Sequence, residues 1–312
     1  MTAADDQAAP AVPFATSSPG QGRKPEWLKK PLPRAAALRS MEGLLRGLRL
    51  HTVCENALCP NLGECFERGT ATFLILGDVC TRDCGFCGVQ GGVPLPPDSE
   101  EPERVAEAVV RLGLRHVVVT SVTRDDLPDG GAAHYVAVLR AVRRVAPQAS
   151  LEVLVPDFRG DMASVDLVLR ERPEVFNHNL ETVPRLYPEV RPQADYSTSL
   201  AVLARAAESG SSLVKTGLMV GLGEAQEEVR SVLRDAASSG VDVVTIGQYL
   251  RPSASHVPVV EYVAPALFAA YAAYGRRLGL QVHAGPFVRS SYRANESLEE
   301  FLGRTHGQCL QE

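Results

Sequence analysis

The segment Cys80-Thr81-Arg82-Asp83-Cys84-Gly85-Phe86-Cys87 holds three thiols at spacings of four and three. Thiolates so close on one loop can wrap a soft-metal cluster. Three ligands on a four-iron cube leave one iron open to a ligand from outside the protein. A second trio, Cys54, Cys59 and Cys65, lies directly upstream, so six of the seven cysteines fall within 34 residues. Structural zinc favours four ligands, commonly in two separated pairs. Neither trio here has an obvious fourth thiolate. Catalytic zinc held only by thiolates, with no His or Glu beside it, would be a poor activator of water. Iron–sulfur clusters are thiolate-held and match this density.

Something must carry these loops. Apolar, β-branched runs occur at 73–76, 116–122, 151–155, 175–180, 213–220 and 241–249. Between them lie helical patterns. Val105, Ala108, Val109 and Leu112 repeat at helical spacing, with Gly113 as a stop. Tyr135, Val138, Leu139 and Val142 do the same, as do Leu200, Leu203, Ala204 and Ala207, then Val229, Val232, Leu233 and Ala236. Strands alternating with helices predict a parallel sheet with right-handed crossovers. A closed eightfold barrel needs about 250 residues. The repeat fills only 73–250, which favours an α/β fold of the incomplete (β/α)6 TIM-like kind over a full barrel, with a doubly wound sheet as the alternative. A helix over 265–278 and a last strand near 280–283 are expected to follow.

In either architecture ligands belong at the carboxyl ends of the strands, where the loop of Cys80, Cys84 and Cys87 falls. Polar residues sit at the later strand ends: Thr120 to Asp126, then Asn177, Asn179 and Glu181, then Gln248. Polar groups in a buried strand are costly unless paired, so their convergence points to a polar ligand in the barrel mouth. The organisation expected is a disordered tail at 1–22, an extension with the first trio at 23–70, the partial barrel at 71–286 and a C-terminal extension at 287–312.

The chain has 312 residues, 45% hydrophobic and 22% charged, as expected of a globular protein. No apolar run of membrane-spanning length exists. Residues 1–20 lack a basic region followed by an apolar core, and they lack Arg, which argues against secretory and mitochondrial targeting. Clustered cysteines in a chain without export are expected to bind metal in a reducing cytoplasm. Residues 21–50 carry eight basic against two acidic side chains, a surplus of six, so with a net charge of −5 the remainder holds −11. That basic arm is either a solvated face or a docking surface for an acidic protein. Nucleic acid is disfavoured, because Trp27 alone is little for stacking.

The pattern C-x3-C-x-aromatic-C after the first strand resembles the radical S-adenosylmethionine superfamily. Gly217-Leu218-Met219-Val220-Gly221-Leu222-Gly223-Glu224 is similar to its glycine-rich element on the fifth strand. The upstream trio, Thr72 to Asp78, Arg124 to Gly131, Val155-Pro156-Asp157-Phe158, Asn177 to Glu181, Gln248-Tyr249-Leu250 and Arg289-Ser290-Ser291-Tyr292 resemble the lipoyl synthase family across about residues 23–295. The resemblance implies two [4Fe–4S] clusters and S-adenosylmethionine. Cys80, Cys84 and Cys87 would hold the radical cluster. Cys54, Cys59, Cys65 and Ser291, with Ser290 as the alternative, would hold an auxiliary cluster that donates sulfur. Asn177, Asn179, Glu181, Gly221, Gly223 and Glu224 would contact S-adenosylmethionine, and Cys309 would be a bystander.

The implied reaction inserts two sulfur atoms at C6 and C8 of an octanoyl chain linked to a carrier-domain lysine. The implied partners are octanoylated lipoyl carrier domains (2-oxoacid dehydrogenase subunits and the glycine cleavage H protein), an electron donor such as flavodoxin or ferredoxin, and an iron–sulfur cluster carrier, with no membrane. Another radical sulfur inserter, or a non-enzymatic iron–sulfur sensor, would share only part of these motifs. If the basic arm docks an acidic carrier domain, replacing Lys29 and Lys30 by Glu should weaken that binding at low salt and much less at high salt, as measured by calorimetry; unchanged low-salt affinity would remove the arm from docking.

Overall fold

The computed structural model describes residues 24–29, 35–57, 59–67, 72–291, 294–296 and 298–300. The tail expected at 1–22, Lys30, Pro31, Pro33, Tyr292 and Cys309 lie outside the described residues. Helix α1 (Ala35–Gly47) leads to strand β1 (His51–Thr52), and the short helices α2 (Val53–Asn56) and α3 (Leu62–Glu67) carry the first cysteine trio. Strand β2 (Thr72–Ile75) follows. Two short strands, β3 (Val79–Cys80) and β4 (Gln90–Gly91), pair in parallel and frame the cysteine loop between them.

The alternation then runs α4 (Glu101–Leu112), β5 (His116–Ser121), α5 (Ala132–Val145), β6 (Ser150–Leu154), α6 (Met162–Leu169) and β7 (Val175–Asn177). After the single turn α7 (Tyr187–Val190) come α8 (Tyr196–Ser209), β8 (Leu213–Val220), α9 (Gln226–Ser238), β9 (Val243–Gln248), α10 (Pro265–Arg277) and β10 (Gln281–Gly285). The sheet order is β1-β2-β5-β6-β7-β8-β9-β10, parallel throughout except for antiparallel β1. Its two ends are not joined among the described residues, so this is an incomplete barrel, as the six strand–helix units lead one to expect. The last strand, β10, extends the parallel array beyond those units.

Three of the helical stripes read from sequence face the sheet, whereas α8 buries Ser199, Val202, Leu203 and Ala206, a face that shares only Leu203 with the expected Leu200, Leu203, Ala204 and Ala207. Val105, Ala108, Val109, Tyr135, Val138, Leu139, Val142, Val229, Val232 and Leu233 are all buried. Gly113 stops α4 with φ 61°, its N–H donating to Val109 O and Val110 O, the left-handed cap that glycine adopts without a Cβ clash. One strand is shorter than its apolar run implies. The run 175–180 stops as a strand at Asn177 and re-engages β8 only through a bridge from Glu181 to Leu218. Asn177 pairs with Lys215, so four steps along one chain oppose three along the other. The surplus residue forms a bulge, which bends the strand and re-aims its side chains.

Beneath the mouth the barrel interior holds an ionic network. Lys215 Nζ donates to both Glu152 oxygens at 3.0 and 3.3 Å, and Asn177 Nδ2 donates to Oε1 at 3.3 Å. Burial pushes the Glu152 carboxyl up, but Lys215 and His116 outweigh it and hold it below its ordinary range. Removing one partner strands the other charge in a dry interior. Glu152→Ala should therefore cost about 3–5 kcal/mol in urea unfolding, whereas the double change Glu152→Leu with Lys215→Met should recover most of that loss. Equal losses in the two variants would show that packing, and not the ion pair, sets the cost.

Candidate active site

The cysteine loop begins where β2 ends. Leu76 and Gly77 turn the chain with φ 66° and 90°. A leucine in the left-handed region is strained, and two side chains hold it there. Leu76 N donates to Glu101 Oε2 at 2.8 Å, and Arg124 Nη1 donates to Leu76 O at 3.2 Å. Gly131 leaves room for the Leu76 side chain, because a Cβ at 131 would lie 2.4 Å from Leu76 Cδ1. The segment Arg124 to Gly131 is thus a seat for this turn.

Arg82, between the first two thiols of the loop, is its clamp. Its guanidinium donates to Asp125 Oδ2 and Oδ1 at 2.7 and 3.0 Å, and to Asp157 Oδ2 and Oδ1 at 2.7 Å each. These carboxylates follow two neighbouring strands, β5 and β6. Burial works against the Arg82 charge, yet the aspartates hold its pKa above the ordinary range; burial likewise opposes the Asp157 charge, and Arg82 keeps that carboxyl below its usual range. Thr81 adds N–H and hydroxyl bonds to Thr123 O at 3.0 and 2.9 Å. Across the loop, Gly85 N donates to Val190 O at 3.0 Å. Sequence reading gave Arg82 no role; its signal lay in the aspartates of the Arg124 to Gly131 and Val155 to Phe158 segments.

The first trio is anchored separately. The Thr52 hydroxyl caps α2 by accepting from Glu55 N at 3.3 Å, and Cys59 N donates to Cys54 O at 3.1 Å. Asn61 Nδ2 donates to Phe287 O at 2.7 Å, joining this extension to the C-terminal segment. That segment lies close over β9, where a Cβ on Gly247 would be 2.1 Å from Val288 O. Both trios open into one cavity of about 330 Å³, lined by Cys54, Cys59, Cys80, Cys84 and Cys87 and closed by Ser290 and Ser291. Cys65 does not line it but acts on Cys54 electrostatically.

Burial pushes the Cys54 and Cys87 thiols up to about 12 and Cys84 to about 11, and within each trio the thiols raise one another further. Crowded buried thiols need a strong local positive charge to serve as thiolate ligands. The donor set fits a thiolate-held iron–sulfur group on each trio.

The rest of the cavity is polar on one side. Asn179 Nδ2 donates to Glu181 Oε1 at 2.8 Å, while Asn179 Oδ1 is buried without a partner among the described residues. Gly217 makes this possible, since a Cβ there would lie 2.6 Å from Asn179 Oδ1. Burial raises the Glu181 carboxyl pKa, with Arg191, Asn179 and Arg289 opposing. His178 Nδ1 donates to Val155 O at 2.9 Å, leaving buried Nε2 unpartnered among the described residues; burial and then Arg191 bring this imidazole down to about 4, so it is neutral. Arg191 Nη1 donates to Asn179 O at 3.0 Å. Arg289 lies within electrostatic reach of Cys59 and Glu181.

Other sequence candidates stand off the cavity. Asn177 belongs to the Glu152 network. Glu224 accepts from Gly221 N at 2.6 Å and Leu222 N at 2.9 Å, closing the turn after β8. Gly221 in that turn, at φ 102°, admits Gln248 Nε2, which a Cβ would approach to 2.2 Å, and Gly223 at φ 101° packs near Val260. Arg191 carried no motif signal, and His178 lay inside the Asn177 to Glu181 segment without being singled out.

A lysine cannot bridge two carboxylates as a guanidinium fork does. Charge-assisted hydrogen bonds contribute about 1.5–3 kcal/mol each, so Arg82→Lys should lower the iron held by this loop at least tenfold, read as iron and sulfide per chain. Asp157→Asn should be worse than Asp125→Asn, because the Asp157 side chain is 3% exposed and that of Asp125 28%.

Comparison with known proteins agrees with this architecture. The model of the radical SAM superfamily matches residues 74–236. Lipoyl synthase of Rubrobacter xylanophilus is 53% identical over 93% of this chain and 90% of its own, and that of Thermus thermophilus 52% identical over 93% and 91%. Among solved structures, Streptococcus suis SuiB bound to S-adenosylmethionine superposes with a TM-score of 0.54 at 11% identity, covering 72% of this chain and 53% of that one, a likeness of fold alone. A superfamily match across half the chain and lipoyl synthases alike over nearly all of it leave one conclusion: the chain belongs to the lipoyl synthase family of the radical SAM superfamily.

Proposed function

We infer that this protein makes the lipoyl group by inserting two sulfur atoms, at C6 and C8, into an octanoyl chain held on a carrier-domain lysine. The observation that carries the reading is the single cavity onto which cysteines of both trios and the pair Ser290–Ser291 open. An enzyme that activates a carbon with one metal group and sulfurates it from another needs both beside one substrate. When bound, S-adenosylmethionine and the two [4Fe–4S] clusters would supply hydrogen abstraction from an unactivated carbon and the sulfide that replaces it.

The chain's own residues hold and shield those groups. Cys80, Cys84 and Cys87 are proposed as ligands of the radical cluster, on the loop that Arg82 fixes. Cys54, Cys59 and Cys65, with Ser291 or its neighbour Ser290, are proposed to hold the auxiliary cluster. A serine oxygen is a harder ligand than thiolate, which gives that cluster one weak corner. Asn179, Glu181 and Arg191 offer an amide acceptor, a carboxyl and a guanidinium, suited to the polar groups of S-adenosylmethionine. Leu154, Leu218, Met219, Leu250 and Val288 supply apolar wall for an alkyl chain and exclude water from it.

The acidic-partner reading of the basic arm remains part of the proposal. Lys29 is exposed and pairs with Glu26, while Arg49 pairs with Glu100 at 3.3 Å. The carrier domain would be that of a 2-oxoacid dehydrogenase or the glycine cleavage H protein, with flavodoxin or ferredoxin as electron donor and a cluster carrier reloading the auxiliary site. Among the described residues no helix is long and apolar enough to cross a membrane.

Cys80→Ala should abolish S-adenosylmethionine cleavage. Cys59→Ala should retain cleavage yet yield no lipoyl product by mass spectrometry of an octanoylated peptide. Product from the Cys59 variant would remove the upstream trio from sulfur donation. Ser291→Ala should lose sulfur insertion, and full turnover in it with an intact auxiliary cluster would dismiss that serine as a ligand.

A further inference from the structure

The chain from Tyr249 to Ala264, between β9 and α10, has neither helix nor strand. Structureless loops longer than about 12–15 residues are uncommon in compact domains and are usually functional. This one lies against the cysteine loop. Val257 N donates to Gly85 O at 2.9 Å, and Tyr249 Oη donates to Val257 O at 2.7 Å. Gly85 has room for no side chain, because a Cβ there would be 2.7 Å from Val257 Cγ2. Beside these contacts, His256 Nε2 lies 2.8 Å from the carbonyl oxygen of Cys87.

The Cys87 carbonyl fixes the hydrogen on one ring nitrogen. A carbonyl only accepts, so Nε2 carries the hydrogen and donates it. Nδ1 lies 2.8 Å from the Ser253 hydroxyl, which can donate to it or accept from it, and Ser253 Oγ lies 2.8 Å from Ser255 Oγ. Arg251 Nε donates to His256 O at 2.8 Å and holds the backbone of the same turn. The ring is therefore oriented from both sides, as ligand-supporting groups around metal sites are.

We propose that this loop is a strap and that His256 is a positioning residue for the radical cluster, acting through the main chain of its third ligand, Cys87. Its N–H draws electron density from the Cys87 peptide and fixes that residue's orientation. Hydrogen bonding around ligand sulfurs and their peptides tunes the potentials of iron–sulfur clusters. Losing the donor should make the cluster harder to reduce. The inference rests on the assignment of Cys80, Cys84 and Cys87 to that cluster.

The test compares holoenzymes with wild-type sequence, His256→Ala, His256→Gln and Ser253→Ala. The measurements are iron content, the potential of the paramagnetic signal that responds to S-adenosylmethionine, and the rate of its reductive cleavage. His256→Ala should cleave at least fivefold more slowly with a more negative potential, leaving the auxiliary signal unmoved. His256→Gln, whose amide reaches about as far as Nε2, should recover most of both. Ser253→Ala, an exposed change that tests the orientation without removing the ring, should fall between wild type and His256→Ala. The proposal is overturned if His256→Ala matches wild type, or if Gln fails as fully as Ala. A wild-type sample with iron but no S-adenosylmethionine-responsive signal would instead overturn the cluster assignment, and the strap's role with it.

Discussion

One buried guanidinium bridging two aspartates sets the geometry on which the site depends. Arg82 lies between ligand candidates on a loop with little internal structure, and four hydrogen bonds tie it to the ends of two strands. A loop carrying several thiolates would be pushed open by their mutual repulsion and by the entropy of a short flexible segment. Pairing Arg82 with Asp157 in a nearly dry setting makes opening expensive, because either partner would be left charged and alone. The side chains on the loop are thereby placed by the strands, the stiffest part of the molecule.

The unclosed barrel is the second requirement. A complete eightfold sheet would wall the mouth with its own loops and leave less room for elements from outside the repeat. Here the upstream extension and the C-terminal segment join each other through Asn61 and Phe287 O. The tail then lies directly on β9 because residue 247 has no side chain. Two pieces of chain that are remote in sequence thus become one cover bearing Cys54, Cys59, Ser290 and Ser291. The cover brings these side chains to the cavity that the loop of Cys80, Cys84 and Cys87 already lines.

Much of this was legible in the sequence, and what was not has a physical cause. The apolar runs fixed the strands because parallel strands are buried on both faces, and the stripes at 105–112 and 229–236 fixed the helices. The cysteine spacings, Asn179 and Glu181 pointed to one cavity because chemistry restricts which residue types suit such a place, and these residues line it. Asn177 misled, since its alternation with Asn179 and Glu181 suggested one common face, whereas the bulge beyond it leaves its amide on Glu152. Glu224 closes its own turn through Gly221 N and Leu222 N, bonds that sequence does not display. Arg191 was silent, and His178, though inside the Asn177 to Glu181 segment, was not singled out. A lone arginine after a short helix, or a histidine flanked by asparagines, gains meaning only when the fold buries it beside an open polar cavity.

Backbone strain shows where the fold yields to the site. Leu76, Phe158, Arg159 and Glu181 all have positive φ, between 46° and 66°, and all follow the carboxyl ends of sheet strands. Each such residue costs about 1–3 kcal/mol and persists only where its surroundings over-determine it. The surroundings do so at Leu76, Arg159 and Glu181. Leu76 is held by Glu101 and Arg124; Arg159 N donates to Asp157 Oδ1 at 2.9 Å. Glu181 is held through its N–H on Gly217 O at 2.9 Å and its carbonyl on Met219 N at 2.8 Å. Asp157 serves twice, steadying a strained turn with the same carboxylate that receives Arg82. Relaxing any one of these turns would move a strand end relative to the cysteine loop, so the strain and the clamp belong to a single arrangement that the buried sheet is rigid enough to hold.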